Sequence, residues 1–226
     1  MKLLVGIPAY NEAEMIGKVV TALPKTIRGI KEVDILVVDD GSTDNTRAIA
    51  KKHGAKVAVH LLNRGLGGAL KTILGYAKET NYDLLVTFDA DGQHEGQEIE
   101  KLINPIINNK ADVVIGTRWK NEGKKPIVRF VVNQLANVVT YLLFGMYSSD
   151  SQSGMRAFNR KAIGKINLQT DGMEVSSEFF REIYTHKLKY LEIPIKAIYT
   201  DYSKSKGQRI TNAPNIFFKL LLRLFK

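Results

Sequence analysis

The chain contains no cysteine, which excludes disulfides, thiolate metal sites and cysteine nucleophiles but leaves the compartment open. It has no G-x-x-x-x-G-K-[ST] segment, so the phosphate-binding-loop NTPases are excluded. The glycine-rich stretch NRGLGGA (63–69) is not a dinucleotide fingerprint either, because G-x-G-x-x-G would need glycine where Leu70 stands. The four histidines (53, 60, 94 and 186) are scattered and form no Ser-His-Asp set; they read as surface or core positions. No linker rich in Pro, Gly and Ser and no repeat divides the 226 residues, so one main domain over 1–211 with a short appendage at 212–226 is expected. The N-terminal MKLLVGIPAYNE holds too short an apolar run for a signal peptide, which favours a cytosolic location.

Acidic charge is in deficit: 33 Lys and Arg against 23 Asp and Glu leave a net charge of +10. That balance points to an anionic partner, unless the lysines only solubilise the surface. From Lys120 onward the basic residues are mixed with aromatics and leucines, unlike a uniformly solvated face. A nucleic-acid footprint would need stacking platforms or a recognised binding motif, and neither is present.

Short apolar runs recur with helical stretches between them. KLLVGI (2–7), DILVVD (34–39), KVAVHLL (56–62), DLLVTF (83–88) and DVVIG (112–116) read as strands buried on both faces. The segments between them carry apolar residues at helical spacing, and one stops at Gly54. This alternation predicts an α/β fold with a parallel sheet. Such sheets bind ligands outside the carboxyl ends of their strands, and polar or glycine-rich motifs follow each of the five runs: PAYNE, DDGSTD, NRGLGGA, DADGQ and TRW. A single such loop is an ordinary turn, but five define a ligand-binding rim.

In DADGQ, alternation along an extended chain points Asp89, Asp91 and Gln93 the same way. Two carboxylates and an amide oxygen suit Mg²⁺ or Mn²⁺ that keeps waters and takes further oxygens from a diphosphate. The competing reading is an Asp-Gly turn. His94 reads as a mere neighbour. In DDGSTD, Ser42, Thr43 and Asp44 suit a helix N-cap and Gly41 a tight turn, which leaves Asp39 and Asp40 for hydrogen bonds to ribose or base. Gly65, Gly67 and Gly68 are expected to let a helix start close to the sheet.

PAYNE, VVDDGSTD, DADGQ, GTR, SGMRAF (153–158) and SKSKGQR (203–209), in this order, resemble the family 2 glycosyltransferases of the GT-A fold. The likeness is greatest to the dolichol-phosphate mannose synthase and polyprenyl-phosphate glycosyltransferase branch. It implies a Rossmann-like, mostly parallel sheet flanked by helices, with C-terminal amphipathic interfacial helices. By this resemblance Pro8, Tyr10, Glu12, Val37 and Asp39 hold the nucleoside of a nucleotide-sugar donor. Asp89, Ala90, Asp91 and Gln93 match the segment that binds the metal and donor diphosphate, with Asp91 catalytic. Arg118 matches a catalytic basic residue near the donor and acceptor phosphates. Lys204, Lys206 and Arg209 fill the segment that holds a phosphate-binding Arg or Lys in the family, with which of the three makes the contact left open.

Relatives that act on sugar hydroxyls carry a later acidic pair and Q-x-x-R-W, and neither occurs after residue 120. A phosphate acceptor needs little deprotonation, so the expected reaction is inverting transfer of mannose or glucose from a GDP- or UDP-sugar to a polyprenyl or dolichyl phosphate. A hydroxyl acceptor served by Glu174 or Glu178 is the rival. The apolar stretch 124–147 is interrupted by Arg129, Asn133, Gln134 and Asn137, which argues against a membrane-spanning helix. It is expected to lie on the membrane surface with Arg129 at a lipid phosphate, or else to pack in the core. In the tail 212–226, Lys219, Arg223 and Lys226 sit among Phe and Leu, the pattern of an interfacial helix. The expected location is peripheral, on the cytoplasmic face of an anionic membrane, with an anchor beyond residue 226 left open.

Overall fold

The computed structural model describes residues 1–119 and 127–198, with side chains from 130 onward in the second stretch. The first five strands and four helices match the apolar periodicity: β1 (Lys2–Ala9), α1 (Ile16–Ala22), β2 (Glu32–Asp39), α2 (Thr46–Lys52), β3 (Lys56–Val59), α3 (Leu66–Glu79), β4 (Leu84–Thr87), α4 (Glu98–Ile107) and β5 (Val113–Thr117). They are followed by α5 (Ile127–Phe144), β6 (Arg156–Asn159), α6 (Arg160–Lys165), α7 (Val175–Thr185) and β7 (Tyr190–Pro194). Among the described residues one sheet runs β3-β2-β1-β4-β6-β5-β7. It is mostly parallel, but β6 enters between β4 and β5 and pairs antiparallel with both.

Helices cover both faces, as continuous apolar strands require. Along β1 successive side chains alternate sides: Leu3, Val5 and Ile7 pack with α1, α2 and α4, while Leu4 packs with α3, α6 and α7. Burying one such side chain is worth roughly 1.5–3 kcal/mol, so the two layers hold the sheet rigid beneath the loops at its carboxyl edge. β3 is shorter than the KVAVHLL run. It ends at Val59 because the ring of His60 turns inward to Asp40 and Thr72, leaving Leu61 and Leu62 exposed.

Helix α5 is inverted relative to an ordinary surface helix. Asn133, Asn137 and Thr140 recur at helical spacing on its buried side, whereas Val131, Leu135, Val138 and Leu142 form an exposed apolar stripe. The inward asparagines are fully used: Asn133 Nδ2 donates to Asp150 (2.7 Å), and Asn137 Nδ2 donates to the Ser149 carbonyl (2.9 Å). No helix among the described residues is long and apolar enough to cross a membrane.

Candidate active site

A cavity of about 430 Å³ lies outside the carboxyl ends of β1, β4 and β5, lined by Pro8, Tyr10, Asp89, Asp91 and Arg118 among others. Glu12, Ala90 and Gln93 also line it. The loop after β1 is held open by the loop after β2. Asn11, in the left-handed region at φ 54°, accepts from the Thr43 backbone N–H through its side chain (2.8 Å) and donates its own N–H to Ser42 Oγ (2.9 Å). Glu12 N–H donates to Thr46 Oγ1 (2.8 Å). Ser42 and Thr43 therefore secure PAYNE instead of capping α2, whose N-cap is Asn45 without a side-chain bond.

Val37 and Asp39 do not reach the cavity. Val37 points into the core between α1 and α2 and is fully buried. Asp39 is equally buried, accepting from Ser42 N–H (3.1 Å) and Arg47 Nε (3.3 Å). Because side chains alternate along an extended chain, it is the next residue, Asp40, that lines the cavity. Its carboxylate accepts from the N–H groups of Arg64 (3.0 Å) and Gly65 (2.8 Å) and lies 2.6 Å from His60 Nδ1. The glycines after β3 allow a close approach to the 170–171 segment, not to the sheet: a Cβ on Gly65 or Gly67 would collide with the carbonyl of Asp171 or Thr170.

Asp89 and Asp91 stand on the cavity wall just past β4. Burial alone would raise the Asp89 carboxyl, but a hydrogen bond from His94 and the charges of His94, Arg118 and Arg156 outweigh it and hold it below the usual range. Asp91 is pushed up to about 6 by burial and by the charge on Asp89. Gln93 steadies Asp91 with its backbone N–H (3.0 Å) and side-chain N–H (2.6 Å), leaving its amide oxygen as the remaining hard ligand atom. The donor set fits a dication that relieves the carboxylate repulsion. Among the described residues no cluster of three acidic, His or Cys side chains completes a protein-only cage, so water or ligand oxygens would fill the other positions, as Mg²⁺ and Mn²⁺ prefer. His94, read from the sequence as a bystander, lies with Nε2 3.1 Å from Asp89 Oδ2.

Arg118 lines the cavity with its guanidinium forked onto a fully buried carboxylate. Its Nε and Nη2 each donate to Asp150 at 2.8 Å, and its backbone N–H adds a third bond at 3.0 Å. Asn133 of α5 completes the set, so hydrogen bonds tie α5, Asp150 and Arg118 together. The bidentate geometry fixes the guanidinium at the cavity edge. Arg156 of β6 also lines the cavity and is buried, a position that the sequence reading passed over.

The remaining expectations divide. Glu178 is occupied: it accepts from the N–H groups of Gln169 (2.9 Å) and Thr170 (2.8 Å) and pairs with Arg181 (2.7 Å). Glu174, buried at the start of α7, is not part of the cavity wall. Lys204, Lys206, Arg209 and the tail 212–226 lie outside the described residues, as does the side chain of Arg129.

Comparison with known proteins shows the family to which the chain belongs. A model described as Glycosyl transferase family 2 matches residues 4–166. The chain is 39% identical to the UDP-N-acetylglucosamine–dolichyl-phosphate N-acetylglucosaminyltransferase of Methanococcus voltae, over 96% of this chain and 93% of that one. It is 31% identical to the undecaprenyl-phosphate mannosyltransferase of Micrococcus luteus, over 91% of this chain and 87% of that one. Among solved structures, glucosyl-3-phosphoglycerate synthase from Mycobacterium tuberculosis, in complex with Mn²⁺, UDP and glucosyl-3-phosphoglycerate, shares the fold. Its TM-score is 0.75 at 18% identity, covering 99% of this chain and 78% of that one.

Proposed function

The chain belongs to glycosyl transferase family 2, and on that premise we propose that it moves a sugar from a nucleoside-diphosphate donor to a polyprenyl or dolichyl phosphate, with inversion at the anomeric carbon. The carrying observation is the carboxylate pair on the cavity wall at the end of β4, where burial and then the charge on Asp89 raise Asp91 to about 6. An arrangement that resists its own ionisation is suited to sharing a cation.

In this reading Pro8, Tyr10 and Glu12 seat the nucleoside at the end of β1. Asp89, Asp91 and Gln93 hold Mn²⁺ or Mg²⁺ together with the donor diphosphate. When bound, the cation offsets negative charge on the nucleoside-diphosphate leaving group. Arg118, oriented by Asp150, faces the acceptor phosphate and limits its repulsion from the donor. The phosphate oxygen attacks the anomeric carbon, the bond to the diphosphate breaks, and no general base is required because the nucleophile is already ionised. Two relatives named for transfer to lipid phosphates support this acceptor class, and the engagement of Glu178 with backbone N–H groups counts against a hydroxyl acceptor.

A lipid acceptor must be met at a membrane, and the exposed stripe of α5 is suited to that encounter. Its opposite side lines the cavity through Val132 and Asn133, so the apolar face and the reaction site are one helix diameter apart. In sequence Lys120, Lys124, Lys125 and Arg129 precede the stripe, which favours anionic lipid. We place the enzyme peripherally on the cytoplasmic face, with residues 1–211 catalytic, Arg129 at the acceptor phosphate, Lys206 and Arg209 on the donor, and 212–226 as a second surface helix. Incubation with Mn²⁺, radiolabelled UDP- and GDP-sugars and a short polyprenyl phosphate tests the reading: label should enter the organic phase. A failure to do so with every donor would reject the lipid acceptor.

A further inference from the structure

The motif SGMRAF has no role in the reaction as described, yet its Gly154 lies directly against the Asp89 carboxylate. In the antiparallel pairing of β6 with β4, Arg156 is opposite Thr87. Thr87 Oγ1 donates to the Gly154 carbonyl (2.7 Å), which continues the alignment so that Gly154 abuts Asp89. A Cβ on Gly154 would overlap both oxygens of the Asp89 carboxylate. Thr87, Asp89, Gly154 and Arg156 thus share one face, with Arg156 the diagonal neighbour of Asp89, within reach of a long side chain.

Arg156 is 2% exposed. Burying a guanidinium costs several kcal/mol unless opposite charge and hydrogen bonds compensate. Its hydrogen bond from Nη2 to the Ser151 carbonyl (3.1 Å) and its place 4.5 Å from the centre of the Phe179 ring supply part of that. Its Nε has no hydrogen-bond partner. The nearby carboxylates are Asp150 and Asp89, and Asp150 is already forked by Arg118. Asp89 is the counter-charge that remains.

We propose that Arg156 is a positioning residue for Asp89, holding that carboxylate in place while Gly154 leaves room for it and His94 bonds it through Nε2. The inference rests on the metal reading of the Asp89–Asp91 pair and extends it to β6. It has a distinctive sign. A positive charge removed from beside a cation site strengthens cation binding if only its field matters. Removal of a residue that positions a ligand weakens binding, typically by tenfold or more.

Titration of the full chain with Mn²⁺ alone, with free Mn²⁺ read by electron paramagnetic resonance, separates the two. Arg156→Gln should bind Mn²⁺ about tenfold more weakly, and Arg156→Lys should recover to within about threefold of wild type. Mn²⁺ binding to folded Arg156→Gln that is unchanged or tighter overturns the inference alone. A wild-type chain that binds no Mn²⁺ overturns it together with the metal reading. Should Arg156→Gln not fold, Phe179→Leu removes the ring beside the guanidinium and keeps its charge; weakening by about threefold or more supports the positioning role, and unchanged affinity overturns it.

Discussion

Gly154 and Asp89 occupy what would be one volume if residue 154 carried a side chain: a Cβ there would overlap both carboxylate oxygens. Gly154 is not in the left-handed region, so alanine is compatible with its backbone and the conflict is purely one of space. Gly154→Ala should destabilise the fold by only about 1–3 kcal/mol yet reduce transferase activity at least a hundredfold, because Asp89 has to move. Denaturant unfolding and turnover measured on the same preparation check this. Activity within about threefold of wild type would mean that the position of Asp89 is unimportant.

Asp150 accepts from Arg118 three times, twice from the guanidinium and once from the backbone N–H, and a fourth time from Asn133, with no exposure of its side chain. Asp150→Asn leaves a guanidinium without its buried counter-charge, which typically costs about 3–5 kcal/mol. Urea denaturation should show a loss of that order, larger than for a surface pair such as Lys2–Glu32, both of whose side chains are about half exposed.

The raised Asp91 carboxyl makes cation binding depend on pH in a definite direction. With its value near 6 and not 3.8, protons compete with Mn²⁺ until the pH exceeds about 6. Apparent Mn²⁺ affinity should fall close to tenfold per pH unit below that point and level off above it. Without metal, the folded state keeps a proton that the unfolded chain releases between about pH 4 and 6, so this group's contribution to stability declines as pH rises through that window. Mn²⁺ titrations from pH 5 to 8 locate the break. A break near 4 would show that Asp91 is not perturbed.

The α5 stripe gives a surface test. Leu135 and Leu142 are 62% and 74% exposed, so Leu135→Glu/Leu142→Glu should preserve the circular dichroism spectrum while reducing co-sedimentation with phosphatidylglycerol vesicles at least tenfold. Equal sedimentation would move membrane contact to another part of the chain.

The first half of the fold was legible because its strands are continuous apolar runs and its helices keep an apolar period, so the strand ends other than that of β3 could be located and motifs assigned to one rim. β6 was not, since a four-residue strand centred on a charged Arg156 carries no such signal and is stabilised by Asp89 and Phe179, which lie far away in sequence. The choice between Asp39 and Asp40 depended on which way a strand end faces, which adjacent acidic residues do not reveal. α5 was recognisable as apolar and interrupted, but its polar residues turned inward to serve Asp150 and Ser149, where the ordinary expectation puts them toward water. The role of Glu178 was hidden because two of its partners are the backbone N–H groups of Gln169 and Thr170, which any sequence provides.

The most direct test of the account is calorimetry of donor binding, with the UDP- or GDP-sugar that supports transfer, to wild type and Asp91→Asn with and without Mn²⁺. The account predicts donor binding by wild type that is lost on chelation and at least tenfold weaker in Asp91→Asn. Equal affinity in both proteins, indifferent to chelator, would contradict it.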